Sequence, residues 1–535
     1  MSDKTQVLIV GAGPAGLAAA IELGLRGIEV LVVERNPRGG TAPRAKTTNV
    51  RTRTHLRRWG IADRLAEESP FGVEYPIDMV FVTRLSGFPL TRFDNASNTR
   101  TKRSPLYPEH GQWVPQYTLE KVLIERAQSL PSVTLRFDTS FVTAAQDGDR
   151  VTAEIVSADG ARSVVAASYL IGADGARSVV RDLIGAKMEG NYGLSRNYNI
   201  IFRAPGLAEA HQHGPAAGYW QIGKDGFSVV GPMDKGDVWF FGPTGIKEGQ
   251  TLSNAEAAAM ISDRTGIDLP YEILSADMWV ASELLADRYA DRRIILAGDA
   301  CHLHPPFGGY GMNMGIGDGV DLGWKIAATL QGWGGPDLVP SYEAERRPVH
   351  KLVIDEAVAN HAFVGDVPPA TIEDATTEGA AVRAQVGARL QATKSREFHT
   401  LGTVLGLGYE TSPIVASESG AAPVHDATVY TPTARPGYLA PHAWLPDGRS
   451  LYDLFGSGFA LIAAEDADAA QIAEALADAA ALGVKFTLVQ PDGVDVEALY
   501  EAKLTLVRPD QHVAWRGDDW TNPLPLAVGR ARASK

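Results

Sequence analysis

A chain of 535 residues with 45% hydrophobic and 21% charged residues has the composition of a globular protein of about three domains. Its net charge of −14 argues against nucleic acid or an anionic membrane as the main partner, and no apolar stretch is long and uncharged enough to span a bilayer. Cys301 is the only cysteine, which excludes an intrachain disulfide, and the chain enters its first predicted strand directly, so we expect a cytoplasmic location.

The first predicted strand, residues 6–10, leads into a glycine-rich turn, a helical pattern and a second strand that ends at Glu34. The turn reads Gly11-Ala12-Gly13-Pro14-Ala15-Gly16. The first glycine permits the tight turn, the second lets backbone N–H groups approach a pyrophosphate, and the third lets the helix pack on the strand. Because Glu34 stands where a carboxylate can bind both hydroxyls of an adenosine ribose, this unit predicts a dinucleotide site.

Mixed helix and strand patterns follow up to residue 330. The predicted elements are a helix near 52–59, a strand at 78–82, a helix at 118–127, antiparallel strands over 132–171, a second sheet over 196–243, a buried strand at 293–297 and a long helix at 312–330. Aromatic residues between 219 and 240 are interpreted first as ordinary sheet packing, with substrate contact as the alternative.

Two acidic motifs follow predicted strands in this part of the chain. Asp174 stands in Gly172-Ala173-Asp174-Gly175, and Asp299 stands in Gly298-Asp299-Ala300-Cys301. An acid at the end of a buried strand points out of the carboxyl edge of a sheet, where ligands bind in such folds. Asp299 is therefore placed to reach the ribityl hydroxyls of a flavin, whereas Asp174 is equally well explained as a turn or helix-cap aspartate.

The last part of the chain has its own alternation. A helical segment after residue 365 is followed by proline-rich turns from about residue 422, a strand at 459–463, a helix at 467–482 and strands at 484–489 and 504–508. Such an alternation predicts a small α/β domain.

In this order and spacing the motifs resemble those of the class A FAD-dependent aromatic hydroxylases, which share the p-hydroxybenzoate hydroxylase fold. Within that family the chain is similar to the phenol and 2-hydroxybiphenyl hydroxylase branch, and the matching motifs extend to Ser341-Tyr342-Glu343-Ala344-Glu345-Arg346-Arg347-Pro348. The resemblance implies an α/β fold in three parts. These are a Rossmann-type FAD-binding domain at 1–365 (mainly 1–75, 105–180 and 285–365) with an interleaved antiparallel substrate sheet (mainly 76–104 and 185–284), a helical connector at 366–420, and a thioredoxin-like domain at 421–535.

The resemblance also implies individual roles. Glu34 would bind the adenosine ribose, Arg35 would lie against the adenine, Arg44 would contact cofactor phosphates, Gln116 would lie near the flavin, Asp174 would serve both FAD and NAD(P)H, and Asp299 would bind the ribityl chain. Pro306 would approach the reactive face of the flavin, and Gly309, Gly311, Met312 and Asn313 would form the loop and helix start at its pyrimidine edge.

The chain departs from the resemblance at two places. Lys46 stands where phenol-type relatives often have a histidine; it is interpreted as an exposed loop lysine or as a group that stabilises a phenolate. The thioredoxin-like segment has no cysteine and is expected to be structural. His302 and His304 are close in sequence but have no evident carboxylate partner, so we predict no metal site.

The reaction implied is NAD(P)H- and O2-dependent hydroxylation of a small phenolic or related aromatic substrate through a C4a-hydroperoxyflavin. Since one glycine fingerprint is found, NADPH or NADH is expected to bind transiently in a groove. The alternatives are Baeyer–Villiger oxidation or epoxidation of a polyketide, a flavin dehydrogenase or halogenase, and a flavoprotein without monooxygenase turnover. The assembly is left open, with a homodimer as the candidate.

Overall fold

The computed structural model describes residues 2–37, 45–223, 226–244, 246, 251–361 and 368–531. In chain order its strands are β1 (Ser2–Lys4), β2 (Val7–Val10), β3 (Val30–Val33), β4 (Thr47–Thr48), β5 (Met79–Val82), β6 (Pro89–Phe93), β7 (Gln112–Trp113), β8 (Val133–Arg136), β9 (Thr139–Gln146), β10 (Val151–Ser157), β11 (Arg162–Ala167), β12 (Tyr169–Gly172), β13 (Met188–Arg203), β14 (Gly218–Gly223), β15 (Gly226–Asp234), β16 (Val238–Pro243), β17 (Glu272–Ala286), β18 (Ala290–Asp291), β19 (Ile294–Leu296), β20 (His302–Leu303), β21 (Phe459–Ala463), β22 (Phe486–Val489), β23 (Leu504–Val507) and β24 (Val513–Gly517).

The helices alternate with these strands in both the N-terminal and the C-terminal part. They are α1 (Pro14–Gly24), α2 (Val50–Arg58), α3 (Ala62–Glu67), α4 (Gln116–Gln128), α5 (Val179–Leu183), α6 (Asn254–Thr265), α7 (Gly311–Leu330), α8 (Ser341–His361), α9 (Thr377–Phe398), α10 (Leu401–Leu405), α11 (Ala469–Leu482), α12 (Val496–Tyr500) and α13 (Leu524–Ala527). No helix of the described ranges is long and apolar enough to cross a membrane.

A six-stranded sheet forms the centre of the N-terminal part, with the order β18-β19-β12-β2-β3-β8. All neighbours are parallel except β18 and β19. The strands β2, β3 and β12 are buried along their whole length, which explains their continuous runs of apolar residues. The glycine turn and Asp174 follow β2 and β12, so both lie at the carboxyl edge of this sheet.

Glycines let α7 approach α1 closely. A Cβ atom on Gly319 would lie 2.6 Å from the carbonyl oxygen of Ala15, and one on Gly323 would lie 2.3 Å from Cβ of Glu22. Both distances are far below van der Waals contact, so larger residues would push the helices apart. The close packing fixes the start of α7 beside the glycine turn at the start of α1.

The eight-stranded sheet has the order β20-β17-β13-β16-β15-β14-β5-β6. One face packs on α6, and the other carries an aromatic cluster that α9 covers with Leu390 and Phe398. The predicted connector therefore contributes to the cover of this sheet. The sequence pattern did not single out β17, whose burial alternates irregularly, although it pairs with β13 over most of its length.

The C-terminal sheet has the order β22-β21-β23-β24, in which β21 and β22 are parallel and the other neighbours antiparallel. The predicted strand–helix–strand alternation is confirmed, and α11 connects the two parallel strands. Its apolar residues form one cluster with residues of α7, including Trp324 and Ala328. The C-terminal part is thus packed directly on the N-terminal part.

Fully buried charges cross this contact. Arg508, just after β23, donates two hydrogen bonds to Glu345 of α8 at 2.6 and 2.9 Å, and Lys325 of α7 donates to both Glu345 and Asp321. Burial by itself would raise the pKa of Glu345, but Arg508 and Lys325 lower it to about 2. Removing one partner of such a group leaves buried charge uncompensated, so this ion cluster couples the two parts.

Candidate active site

The glycine turn has the geometry that the sequence predicts. Gly11 has φ +105, and a Cβ atom there would lie 2.3 Å from the carbonyl oxygen of Ala173; a Cβ on Gly16 would lie 2.0 Å from the carbonyl oxygen of Gly11. The turn is therefore a cradle that side chains would fill. Gly13 is the N-cap of α1 and offers no side-chain cap, so the first N–H groups of the helix point at the carboxyl edge of the sheet.

Glu34 ends β3 beside this turn. It is buried, and its Oε2 accepts a hydrogen bond of 3.0 Å from the backbone N–H of Ala12. Its Oε1 accepts from the backbone and side-chain nitrogens of Asn36 at 3.0 and 2.8 Å. Arg35 is exposed. Arg44 lies outside the described residues.

Asp174 lies four residues before Ser178, the N-cap of α5, and its side chain reaches the start of that helix. Its carboxylate accepts hydrogen bonds from the hydroxyl of Ser178 at 2.5 Å and from the backbone N–H of Val179 at 2.7 Å, at the start of α5. The helix-cap interpretation of this aspartate is therefore present in the structure. Arg181 of α5 donates to the carbonyl oxygen of Ala300, which ties this motif to the one that carries Asp299.

Asp299 lies half-buried in a short 3₁₀ helix after β19, with the loop 304–310 and α7 following. Pro306 is exposed, and its carbonyl oxygen accepts from Gly309 N–H at 3.1 Å. Gly311 begins α7, whose N-terminus, like that of α1, has no side-chain cap. Met312 is half-buried in its first turn.

The buried Asn313 links this helix start to β4. Its Nδ2 donates to the carbonyl oxygens of Thr47 at 2.9 Å and Gly309 at 2.7 Å, and its Oδ1 accepts from Asn49 N–H at 3.0 Å. The amide thus fixes the distance between the loop and β4. Two segments that are far apart in sequence are thereby held side by side.

Gln116 fixes the chain just before β4. Its Oε1 accepts from Ala45 N–H at 3.1 Å, and its backbone N–H donates to the carbonyl oxygen of the same residue at 3.0 Å. Lys46, which follows Ala45, places its Nζ 4.2 Å from the centre of the Phe240 ring. Lys46 is half-buried, so it is not the exposed loop residue that one interpretation expects, and burial lowers its pKa to about 8.

An aromatic face lies next to Lys46 on the eight-stranded sheet. The rings of Trp113 and Phe240 are 6.3 Å apart, and those of Trp220 and Phe307 are 6.1 Å apart. Phe307 directly follows Pro306, so the loop before α7 and the sheet face meet here. The aromatics between 219 and 240 divide between the two faces of the sheet, with Trp220, Phe227 and Phe240 on this one.

His302 has a carboxylate partner that sequence spacing did not reveal. Its Nε2 lies 3.0 Å from Oδ2 of Asp318 in α7, and His350 of α8 lies 3.0 Å from the other carboxylate oxygen. Cys301 completes a buried group whose potential ligand atoms lie within 4.8 Å of one another. Arg346 already donates to Asp318 at 2.8 Å, so the carboxylate is compensated by a side-chain cation.

Two family models match the chain. The FAD binding domain matches residues 4–357, and the aromatic-ring hydroxylase C-terminal domain matches residues 433–531. The chain belongs to the FAD-dependent aromatic-ring hydroxylase family. The FAD-dependent monooxygenase apdD of Emericella nidulans is 32% identical over 96% of this chain and 87% of its own length. The 4-methyl-5-nitrocatechol 5-monooxygenase of a Burkholderia species is 33% identical over 96% of this chain and 94% of its own length.

Solved structures give the same result. The rebeccamycin biosynthetic enzyme RebC with reduced flavin covers 99% of this chain and 100% of its own, with a TM-score of 0.90 and 33% identity. The predicted α/β class and family are therefore confirmed. The protein is an FAD-dependent monooxygenase that hydroxylates aromatic substrates with NAD(P)H and O2, and the Baeyer–Villiger and non-turnover alternatives are not favoured.

Proposed function

We propose that the substrate is a phenol, held between the aromatic face and the loop before α7, with its oxygen near Lys46. The observation that carries this proposal is the Lys46 ammonium against Phe240 in an apolar setting. An ammonium group next to a phenolic oxygen favours the phenolate, and an ionised oxygen makes the ring more nucleophilic. Since the pKa of Lys46 is about 8, its charge is present below that pH and is lost above it.

The residues at the carboxyl edge of the six-stranded sheet fit FAD. The cradle at Gly11 and the uncapped start of α1 suit a pyrophosphate, Glu34 suits the adenosine ribose, and Asp299 suits the ribityl hydroxyls. The uncapped start of α7 faces the place proposed for the pyrimidine ring, where its N–H groups would stabilise negative charge. When bound, FAD supplies the redox and oxygen-transfer chemistry.

The other roles inferred from the resemblance remain proposals. Gln116 and Asn313 hold β4 and the loop at a fixed separation, which supports positions for them beside the flavin. Pro306 is proposed to approach its reactive face, with Gly309, Gly311 and Met312 at its edge. Asp174 acts through the position of α5, and NADPH or NADH is proposed to bind transiently in a groove near it.

The domain boundaries and the assembly are also proposals. The division at residues 365 and 421 is supported by the change from the eight-stranded sheet to the C-terminal sheet, and the thioredoxin-like domain is proposed to be structural. A homodimer is supported by exposed apolar side chains on the β13–β17 ribbon, Tyr192, Leu274 and Met278. We retain the cytoplasmic location as a prediction on the single cysteine, and the exclusion of nucleic acid and membrane partners as a prediction on the net charge.

The proposed substrate class is tested by a screen of phenols. Purified protein should release FAD on heating, and a subset of phenols should stimulate NADPH or NADH oxidation and gain one oxygen by mass. Lys46→Met should keep FAD and its reduction but hydroxylate at least 10-fold less, because about 1.4 kcal/mol of phenolate stabilisation corresponds to a factor of ten.

A matched control is Lys121→Met, which replaces an exposed lysine of α4 that pairs with Glu68. It should behave as the wild type. If Lys46→Met hydroxylates phenols as fast as the wild type at neutral pH, Lys46 has no role at the substrate oxygen.

A further inference from the structure

A cavity of about 80 Å³ lies between α2, α7, α10 and the C-terminal part. Apolar side chains form much of its wall, among them Val320, Val404 and Leu439. An apolar cavity that holds benzene has a volume of about 150 Å³, so this one fits a ligand of only a few heavy atoms. An aromatic substrate is too large for it, and the cavity is therefore separate from the proposed substrate site.

Two buried imidazoles that line this cavity lack partners. Nδ1 of His55 and Nδ1 of His512 have no hydrogen-bond partner, although these residues are only 3% and 9% exposed. The contact from Nδ1 of His512 to Oδ1 of Asp510 is 3.5 Å long, which is beyond a good hydrogen bond. Because an unpaired polar atom is costly to bury, these two nitrogens indicate a polar occupant of the cavity.

The charges around the cavity leave one cation without an anion. Four charged side chains of the described residues line it, and three have an oppositely charged partner: Arg346 with Asp318, Asp321 with Lys325, and Asp510 with Arg508. The fourth, Arg51, donates to two uncharged acceptors, the side-chain oxygen of Gln511 and the backbone carbonyl oxygen of Asp510. Burial lowers the pKa of Arg51, so water does not fully solvate this cation. Cations in such places are normally paired, and the missing partner here is an anion.

We propose that the cavity binds one small monovalent anion, such as formate or a halide, between Arg51, His55 and His512. Arg51 supplies the opposite charge. Each neutral imidazole has one N–H donor, and the tautomer with the proton on Nδ1 directs it to the anion. The volume of the cavity excludes larger anions, and its single unpaired cation favours one negative charge over two.

An anion in this place would join two parts of the molecule. Arg51 and His55 lie four residues apart on one face of α2, whereas His512 lies just before β24. The residue before α2, Asn49, donates its backbone N–H to Asn313 at the start of α7. The occupied site would thus hold the C-terminal part against the segment beside the proposed flavin site. Because the anion binds only the folded protein, it should stabilise that state by mass action.

The test uses the full-length FAD-loaded protein with bromide and, separately, with formate. Gluconate, which is too large for the cavity, replaces the small anion in the reference buffer at equal ionic strength. The thermal midpoint should rise with bromide or formate and then saturate, and the anion that saturates at the lower concentration identifies the ligand as a halide or a carboxylate. Crystals grown in bromide should show one anomalous peak between Arg51, His55 and His512.

Arg51→Gln should abolish the saturable rise, because it removes the charge. His55→Phe should shift the half-saturating concentration upward by roughly 10-fold or more, as expected for one lost charge-assisted hydrogen bond. If Arg51→Gln does not fold, His55→Phe carries the test. The control is Arg64→Gln, which replaces a partly exposed arginine of α3 that pairs with Glu68 and should keep the full rise.

Three results would overturn the site. These are a wild-type midpoint that does not respond to either anion beyond gluconate, an equal response in Arg51→Gln or His55→Phe, and a cavity filled by water alone in bromide crystals. None of these measurements uses hydroxylation, so the anion site can fail while the proposed function stands, and the reverse.

Discussion

The units β2–α1 and β21–α11 have the same local architecture and opposite chemistry at the helix start. In both, a fully buried strand is followed by a turn and a helix, and the next strand is parallel. The α1 N-cap is Gly13, which has no side chain to offer, whereas the α11 N-cap is Asp468, which accepts from Ala470 N–H at 2.8 Å. One helix keeps its positive end for a ligand, and the other neutralises it internally.

In the C-terminal part, charged side chains likewise bind other residues of the protein and not a ligand. Arg508 is fully buried and shared among Glu345, Asp321 and Asp510. In this chain the uncapped helix start, and not the strand–turn–helix pattern alone, distinguishes the unit that is proposed to bind a ligand. If ligand binding belongs to the N-terminal unit and structure to the C-terminal unit, substitutions in the first should change FAD affinity and substitutions in the second should change stability.

The largest expected effect is that of Arg508→Ala. It leaves the buried carboxylate of Asp510 without its arginine and removes one of the two cations that Glu345 and Asp321 share, so the free energy of unfolding should fall by about 3–5 kcal/mol. Thermal melting measures the loss, and the folded fraction should still bind FAD and accept hydride. Arg516→Ala, which removes a partly exposed pair with Glu418, should cost much less; equal losses would contradict a special role for the buried cluster.

Gly13→Asp should come next. The φ of −74 at this position tolerates a side chain, so the fold should persist, but the new carboxylate would cap α1 and repel a pyrophosphate. Loss of two charge-assisted hydrogen bonds, at about 1.5–3 kcal/mol each, predicts an FAD affinity weaker by roughly 150-fold or more. Flavin fluorescence titration of the apoprotein decides, and unchanged affinity would remove this helix from the site.

Asp299→Ala should weaken FAD binding by a smaller amount. One charge-assisted interaction with the ribityl chain corresponds to about 1.5–3 kcal/mol, or roughly 10- to 150-fold. The same titration measures it, and Asp291→Ala, at the edge strand β18, is the control. A Kd equal to that of the wild type would place the ribityl chain elsewhere.

The smallest effect is expected for Asp468→Ala. Removal of a helix cap costs about 0.5–2 kcal/mol of stability, and here no ligand should be affected. Chemical denaturation measures the first and FAD titration the second. A change in FAD affinity would mean that the C-terminal unit takes part in cofactor binding and that the two units do not differ in function.

Local chemistry made part of this molecule predictable. The turn at Gly11 could be predicted because its positive φ and close packing require glycine. The strands β2 and β3 could be predicted because strands buried on both faces are apolar at every position. The helix-cap alternative for Asp174 could be foreseen as well, since aspartate favours helix starts.

Contacts between distant segments could not be predicted. His302 meets Asp318, Ser195 meets His361, and Lys46 meets Phe240 only after the loop, α7, α8 and the sheet have assembled. The spacing of these residues in the sequence carries no sign of it. A signal was available in α7, where glycines recur every four residues from Gly311 to Gly323 and indicate a close helix neighbour.

The burial of Cys301 has a practical consequence. This thiol is fully inaccessible, donates to the carbonyl oxygen of Gly298, and has a pKa raised well above its usual value by burial. Because the thiol is buried, its alkylation can occur only when the edge of the sheet next to Asp299 opens. Because it is the only cysteine in the chain, all labelling comes from this site. The rate of thiol labelling should therefore report how often the structure opens at the proposed flavin site, and bound FAD should lower this rate.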